Sequence, residues 1–240
     1  MERAAARLGV ANWQAPRASQ QTDPVPTPHA DLQPIHTRAY DVRAFRKSSD
    51  EILLRGRVQD TKPAGLYIQD DPEPLVIHHM TVELVITLPS MEITGAEVEF
   101  HVNPHEQCPT IIEHYSKLVG LSIARGFTHK VRELFGGPRG CTHTTALLQA
   151  MAPVAIQCVW SMRAAAAKDQ PVQIARRKPS QAEREAMWAF NLNTCHVWDE
   201  QGENVARMRA GALPEPPVWA VKRFAELGID PQEWASRMGG

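Results

Sequence analysis

The sequence lacks the short motifs that mark most nucleotide-dependent enzymes and hydrolases. It has no Walker A loop, no dinucleotide-binding glycine fingerprint, no HExxH and no GxSxG. Its four cysteines, Cys108, Cys141, Cys158 and Cys195, include no CxxC pair. A redox dithiol is therefore disfavoured, and free thiols are expected in a reducing compartment.

The chain also lacks an excess of charge and a long apolar run. Its 26 Lys and Arg residues nearly balance 27 Asp and Glu residues, which argues against a nucleic-acid-binding surface or a polybasic membrane face. No window approaches the roughly 18 apolar residues of a membrane span, and residues 1–15 lack the apolar core of a signal peptide. These absences predict a soluble cytoplasmic protein whose partners are neither nucleic acid nor membrane. Homo-oligomer formation is left open.

Length and composition predict one folded domain with a loose N-terminal arm. Residues 1–33 have no apolar period and contain Pro24, Pro26 and Pro28, so they bury too little surface to offset the entropy of ordering. We expect a disordered or extended arm there. Residues 34–240 are predicted to form a single α+β domain, which is a normal size for one core.

Alternating apolar residues predict an antiparallel sheet with a long central hairpin. Half-buried strands are expected around 40–44 and 52–58. The strongest strand runs over 75–88, and a return strand reaches Val102, with a bulge expected at Gly95. The fold class is therefore α+β, with this sheet packed by several helices.

The hairpin register predicts a polar face and an inward-pointing histidine. His79 and His101 should lie opposite each other on the polar face, while His78 points toward the core. The other polar side chains on that face are Thr81, Glu83, Glu97 and Glu99. A solvated strand face explains them without a function, and a proton-transfer or metal site is the alternative.

Helical spacing recurs after the hairpin. Helices are predicted at 111–119, 124–134, 142–168, 182–190, 218–227 and 231–237. The third has a wide apolar stripe and contains Pro153, which should kink it. The segment Thr194–Asp199 has the appearance of a short strand. Neighbours on a strand face opposite sides, so Cys195 and His196 should not act as a joint ligand pair.

A glycine-rich loop before the third helix carries the main chemical signal. It runs from Gly136 to His143 and ends at a helix N-terminus, where free N–H groups and the helix dipole favour anions. There Cys141, with His143 two residues on, is a candidate nucleophile or metal ligand. A merely packed cysteine in an N-cap turn is the equal alternative. His78 and Cys108 could reach this loop if the helices pack on the hairpin, although a core histidine also explains His78.

The order of several segments resembles a known family. They are Ile77-His78-His79-Met80, Cys108-Pro109, Leu118-Val119-Gly120-Leu121, Gly126-Phe127 and Gly140-Cys141-Thr142-His143. They resemble the uncharacterised bacterial family known as domain of unknown function 2889, over roughly residues 38–207. The resemblance implies an enzyme that breaks down small apolar or aromatic compounds.

A more distant likeness is to iron-sulfur cluster scaffold proteins. These place ligands at a strand opening, after a hairpin and at a late helix start. His78, Cys108 and Cys141 stand at comparable positions, with His143 nearby. The strand-opening cysteine of those scaffolds is missing here, since His78 and His79 occupy its region.

These observations leave two functional hypotheses and a weaker third. The first is a lyase without a cofactor that acts by proton transfer on a small aromatic metabolite, for example by retro-aldol release of a small aldehyde. Here His78 or His143 is the base, Arg139 and the loop N–H groups hold the oxyanion, and Cys141 is an acid, a nucleophile or a structural thiol. The second is a binding protein that holds zinc or an iron-sulfur cluster with His78, Cys108, Cys141 and His143. The third is an interaction protein that docks a partner through its proline-rich segments.

Overall fold

The alternating residues lie on four antiparallel strands. The structure is a computed structural model, and it describes residues 25, 29, 31–169, 180–212 and 217–230. Within these residues the strands lie in the sheet in chain order. They are β1 (Thr37–Arg46), β2 (Glu51–Lys62), β3 (Leu75–Thr87) and β4 (Glu92–Val102). The α+β class and the long central hairpin, β3 with β4, are confirmed.

The hairpin register differs from the simplest one because it contains two irregularities. One lies where Val85 pairs with Gly95 and Ile86 with Ile93, so the bulge expected at Gly95 is confirmed. The other lies between His79 and Met80, and it pairs His79 with Val102 instead of His101. The two imidazoles are still neighbours, with ring centroids 4.5 Å apart.

Helices follow the sheet, and several begin or end near the predicted residues. They are α1 (Phe127–Phe135), α2 (Thr142–Asp169), α3 (Gln181–Trp188), α4 (Glu203–Arg209) and α5 (Val218–Glu226). Short 3-10 helices cover Cys108–Leu118, Gly137–Arg139, Ala189–Asn191 and His196–Trp198. The helix expected at 111–119 is therefore a 3-10 helix, and α4 was not predicted. The helix expected at 231–237 and nearly all of the arm at 1–33 lie outside the described residues.

The strand expected at Thr194–Asp199 was a wrong prediction. Asn193 has a φ of 59°, a left-handed conformation that asparagine tolerates and that interrupts an extended chain. The backbone then bonds to itself, with Thr194 N donating to Asn191 O and Trp198 N donating to Cys195 O. Local turns satisfy these groups, so no neighbouring strand is needed.

One face of the sheet packs against α2 and forms the core. Leu54, Val58 and Leu84 are fully buried there, as are Leu147 and Met151 of α2. β2 and α2 approach closely at Gly56, where an added Cβ would lie 2.7 Å from the Met151 sulfur. The glycine in the middle of this strand is therefore explained by the helix above it.

Helix α2 is more apolar than expected from the sequence, in which no window of membrane-spanning character was predicted. By length and composition alone, residues Thr142–Ala166 could cross a membrane, with a mean hydropathy of 1.3. Only 33% of its most apolar window is buried within the chain, although Leu147, Leu148, Met151 and Ala155 are fully buried. Core helices of soluble proteins meet the same criteria of length and composition.

The opposite face of the sheet is polar, as predicted, and it contains a buried glutamate, Glu83, and a half-buried histidine, His79. Glu83 is only 7% exposed. Burial raises its pKa, and the neighbouring Glu97 and Glu99 raise it further against the effect of Arg55. Burial lowers the pKa of His79 to about 4, and His101 and Arg57 lower it as well.

The lowered pKa of His79 predicts a loss of stability in mild acid. Because the folded pKa is below the unfolded value of 6.5, the contribution of His79 is complete above pH 6.5 and disappears as the pH falls toward 4. Glu83 acts in the opposite sense, so wild type must be compared with His79→Gln. Chemical denaturation at several pH values between about 7 and 4.5 should show a smaller acid loss in the variant. If the free energy of unfolding falls equally with pH in both proteins, His79 is not the source of the acid loss. Replacement of the exposed His129 by glutamine is the matched control.

Candidate functional site

A row of polar side chains crosses three strands at one end of the helix-covered face. Arg38 of β1 pairs with Asp60 of β2, and Asp60 pairs with His78 of β3. The same alternation that turns Leu54 and Val58 toward α2 turns Asp60 there too. A carboxylate therefore stands where the pattern calls for an apolar residue.

Asp60 is the centre of the site. Its side chain is 2% exposed and accepts two bonds from Arg38, with Nε to Oδ1 at 2.6 Å and Nη2 to Oδ2 at 2.7 Å. These bonds hold the pKa of Asp60 well below its usual range, with further help from the charges of His143 and His36. The pKa of Arg38 is raised in turn. The pair is a fixed ion pair at any pH near neutral.

Two imidazoles face the same carboxylate oxygen. His78 Nδ1 lies 3.1 Å and His143 Nε2 lies 3.0 Å from Asp60 Oδ2. The two rings stack with centroids 3.8 Å apart. A carboxylate accepts and does not donate, so each facing nitrogen carries the proton. The lone pairs of neutral His78 and His143 are therefore at Nε2 and Nδ1, respectively.

The protonation of His143 follows from its surroundings. Its side chain is 14% exposed. Burial lowers the pKa of His143 below 6.5, and His78 and Arg38 lower it further, against the opposing effect of Asp60. The imidazole is therefore neutral near pH 7, which is the form a general base requires.

Cys141 lies on the other side of His143. Its Sγ is 3.6 Å from His143 Nδ1, and its backbone N–H donates to the buried Tyr115 hydroxyl at 2.8 Å. The preceding Gly140 has an extended backbone that passes close to the end of α1, since an added Cβ would lie 2.4 Å from the Phe135 carbonyl oxygen. The glycine and the tyrosine together fix the thiol beside the imidazole.

Three groups of this site could bind a metal ion. The ligand atoms of Asp60, His78 and His143 all lie within 4.8 Å of one another. His36, just before β1, adds a third imidazole 3.5 Å from Asp60 Oδ1. Two histidines and one carboxylate are a ligand set of both zinc and non-haem iron sites.

The structure brings together three of the predicted residues. His78, Cys141 and His143 converge. Cys108 is half-buried at the start of a 3-10 helix and is not in the cluster of ligands found among the described residues. The Arg139 guanidinium donates to the carbonyl oxygens of Glu133 and Arg132 at the end of α1, so these contacts give no support to its predicted oxyanion role.

Cys195 and His196 are both exposed in the turn that replaces the predicted strand. The predicted strand is absent, but the expectation that these two residues do not act together as ligands agrees with the structure. Neither of them contributes to the ligand cluster found in the described part of the chain.

The sequence patterns did not single out Arg38, His36 or Asp60 as site residues. A signal existed for Asp60, because Ile52, Leu54, Gly56 and Val58 continue at period two to residue 60. An acidic residue in phase with a buried face needs partners. The partners themselves depend on the pairing of β1 with β2, which the sequence did not specify.

Comparison with known proteins gives a family and no function. A family model described as a protein of unknown function (DUF2889) matches residues 36–157, slightly more than half of the 240 residues. The matched segment includes Arg38, Asp60, His78, Cys141 and His143. No curated protein and no solved structure matches the chain significantly.

Proposed function

The chain belongs to the DUF2889 family, and from its site we propose a cytoplasmic lyase that acts by proton transfer on a small apolar or aromatic metabolite. The observation that carries this proposal is the position of Asp60 Oδ2 within 3.1 Å of one nitrogen of each imidazole. A buried carboxylate that fixes two histidine tautomers leaves two oriented bases, as in other acid–base sites.

Each residue of the site then has a role. His143 Nδ1 or His78 Nε2 removes the hydroxyl proton of a β-hydroxy carbonyl substrate. The carbon–carbon bond breaks, a small aldehyde leaves, and the electron pair of that bond passes to the substrate carbonyl, which forms an enolate. The newly protonated imidazole returns its proton to the enolate carbon, either directly or through the Cys141 thiol, whose Sγ is 3.6 Å from His143 Nδ1. Asp60 stabilises the imidazolium that forms, and Arg38 keeps Asp60 ionised.

The loop between β2 and β3 supports an apolar substrate. It begins at Lys62, two residues after Asp60, and ends at Leu75, three residues before His78. Within it Leu66, Tyr67 and Ile68 are exposed by 46%, 62% and 56%. Contiguous exposed apolar side chains on a loop that joins the strand ends of Asp60 and His78 are suited to contact an apolar ligand.

A metal-binding function is the second candidate, because three ligand atoms converge at Asp60, His78 and His143. The ligand set differs from the cysteine-containing set expected from the sequence. Metal would replace the protons on His78 Nδ1 and His143 Nε2, so its affinity would rise with pH. It would also compete with Arg38 for the carboxylate.

One preparation distinguishes the two functions. Protein purified without chelator and without a histidine tag is analysed for metal, and then assayed for aldehyde release from a panel of aromatic β-hydroxy compounds. The lyase proposal expects activity that survives removal of any metal by chelator. Loss of activity on chelation, with recovery on addition of zinc or iron, would overturn the metal-free mechanism.

Matched variants test which ligand set binds any metal that is present. Stoichiometric metal that disappears in Asp60→Ala and His143→Ala but persists in Cys108→Ser and Cys141→Ser would establish the histidine–carboxylate site. Loss in the cysteine variants would instead favour the zinc or iron-sulfur hypothesis based on Cys108 and Cys141.

A further inference from the structure

Cys141, His143 and Asp60 are linked in one line of contacts. Cys141 Sγ lies 3.6 Å from His143 Nδ1, and the opposite nitrogen of the same ring, Nε2, lies 3.0 Å from Asp60 Oδ2. Because Nε2 bears the proton that faces the carboxylate, Nδ1 is the acceptor for the thiol proton. A thiol, an imidazole and a carboxylate in this order have the arrangement of a nucleophile, its base and the group that orients the base.

The base is held in one orientation. Both oxygens of Asp60 accept bonds from Arg38, at 2.6 and 2.7 Å, so the carboxylate cannot turn away from His143 without breaking them. The ring of His78 stacks on the ring of His143, with centroids 3.8 Å apart. An imidazole held in this way needs little reorganisation before it takes a proton.

The thiol is also fixed, and it remains within reach of a small molecule. The Cys141 N–H donates at 2.8 Å to the hydroxyl of Tyr115, which is only 1% exposed. This bond ties the backbone of the cysteine to the core. Cys141 itself is half-buried, so a substrate can approach it from solvent.

The other three cysteines provide an internal comparison. Cys158 is buried, Cys108 is half-buried and Cys195 is exposed. Within the described part of the chain, the bond between a cysteine sulfur and an imidazole is found at Cys141. A reaction governed by access alone would therefore favour Cys195, whereas a reaction that needs a base would favour Cys141.

The start of α2 supplies donors for the negative charge that an attack by the thiol creates. Thr145 N donates to Cys141 O at 2.9 Å, so the N–H groups of Thr142 and His143 have no carbonyl of a preceding helical turn as acceptor. They lie in the same turn as the thiol. Backbone N–H groups in such a position stabilise the oxyanion of an acyl-transfer intermediate.

We propose that Cys141 is a nucleophile that accepts an acyl group from thioesters or aryl esters of small apolar acids, with His143 as its base and Asp60 as the residue that orients His143. An apolar acyl group is favoured because the loop that joins the strands of Asp60 and His78 exposes the apolar side chains of residues 66–68. This activity goes beyond the proposed lyase and does not depend on it, because the retro-aldol reaction forms no bond to sulfur.

The reaction has two steps. In the first, Cys141 Sγ bonds to the carbonyl carbon of the donor, and the thiol proton passes to His143 Nδ1. The bond from that carbon to the leaving oxygen or sulfur breaks, and the leaving group takes the electron pair and the proton from His143. In the second, His143 takes a proton from water, the water oxygen bonds to the acyl carbon, and the carbon–sulfur bond breaks. The sulfur takes that electron pair and recovers the proton, so the acid is released without an oxidant or a reductant.

Acetylation by p-nitrophenyl acetate tests the proposal. Wild-type protein should release a burst of p-nitrophenolate, and acid-quenched samples should carry an acetyl group on Cys141, located by mass spectrometry of peptides. In the same samples Cys141 should be acetylated about 10²-fold faster than the more exposed Cys195, since a general base contributes about 10²–10⁴-fold to a rate. His143→Gln should remove that advantage while it leaves the thiol in place.

The controls separate this chemistry from ordinary thiol reactivity. Cys141→Ser should abolish the burst, whereas the exposed Cys195→Ser and His129→Gln should leave the acetylation of Cys141 unchanged. Circular dichroism checks that each variant is folded, and the comparison of the two thiols in wild type needs no variant. Equal rates at Cys141 and Cys195, an unchanged rate in His143→Gln, or an acetyl group on His143 instead of Cys141 overturns the proposal. None of these results bears on aldehyde release, which the lyase assay measures separately.

Discussion

Substituting Asp60 with asparagine is expected to lower the free energy of unfolding by about 2–4 kcal/mol, because it leaves Arg38 without its partner in a largely buried site. The expected loss is smaller than for a fully buried pair, since the Arg38 side chain is 36% exposed. An asparagine side chain also presents an N–H group where Arg38, His78 and His143 all donate. Urea denaturation at pH 7 measures the change.

The same substitution should alter the two imidazoles. Asparagine offers one amide oxygen in place of the two carboxylate oxygens, so the preference for a proton on both His78 Nδ1 and His143 Nε2 should weaken and both tautomers should be populated. Two-dimensional ¹⁵N spectra of the histidine side chains distinguish the tautomers in wild type and variant. Unchanged spectra would contradict the central role given to Asp60.

Asp41→Asn is the matched control for stability. Asp41 also bonds bidentately to an arginine, but at 3.2 and 3.3 Å on a single exposed strand. Exposed ion pairs contribute about 0–1 kcal/mol, so this variant should be nearly as stable as wild type. If Asp41→Asn lowers the free energy of unfolding as much as Asp60→Asn does, the loss comes from removing any negative charge from the sheet and not from the Asp60 site.

The sheet could be predicted because its signal is local. Met80, Val82, Leu84 and Ile86 recur at period two, with Thr81 and Glu83 between the first three of them. This period is typical of a strand with one face toward the core. The bulge at Gly95 could be predicted too, because a glycine inside a strand is a local signal. The turn at Thr194–Asp199 was misread because a left-handed asparagine and local hydrogen bonds, not side-chain pattern, decide its course.

The site was only half predictable, and the missing half comes from tertiary structure. His78, Cys141 and His143 stood out because their residue types lie at a strand start and a helix start. Arg38 and Asp60 become partners only through the register of β1 on β2, where a shift by one residue would turn Asp60 to the other face. Arg139 was expected at the site from its position in the loop; its guanidinium donates to the carbonyl oxygens of Arg132 and Glu133, and its oxyanion role stays a prediction.

The largest effect on the proposed activity should come from His143. Its Nδ1 is the unprotonated nitrogen and lies beside Cys141 Sγ. General-base catalysis typically contributes about 10²–10⁴-fold to a rate. We therefore expect His143→Gln to lower kcat for aldehyde release by about that factor while the protein remains folded. The exposed His129→Gln should retain full activity.

The pH profile separates catalysis by His143 from a structural role. A base must be unprotonated, so activity is present above its pKa and is lost as the pH falls through it. Because burial lowers the pKa of His143, the acid limb of kcat/KM should lie below pH 6.5. The residual activity of His143→Gln should lack that acid limb. If His78 serves as the base in its absence, the limb should disappear only in the double variant in which both His78 and His143 are replaced by glutamine. An acid limb that persists unchanged in the double variant would assign the proton transfer to a group outside the Asp60 cluster.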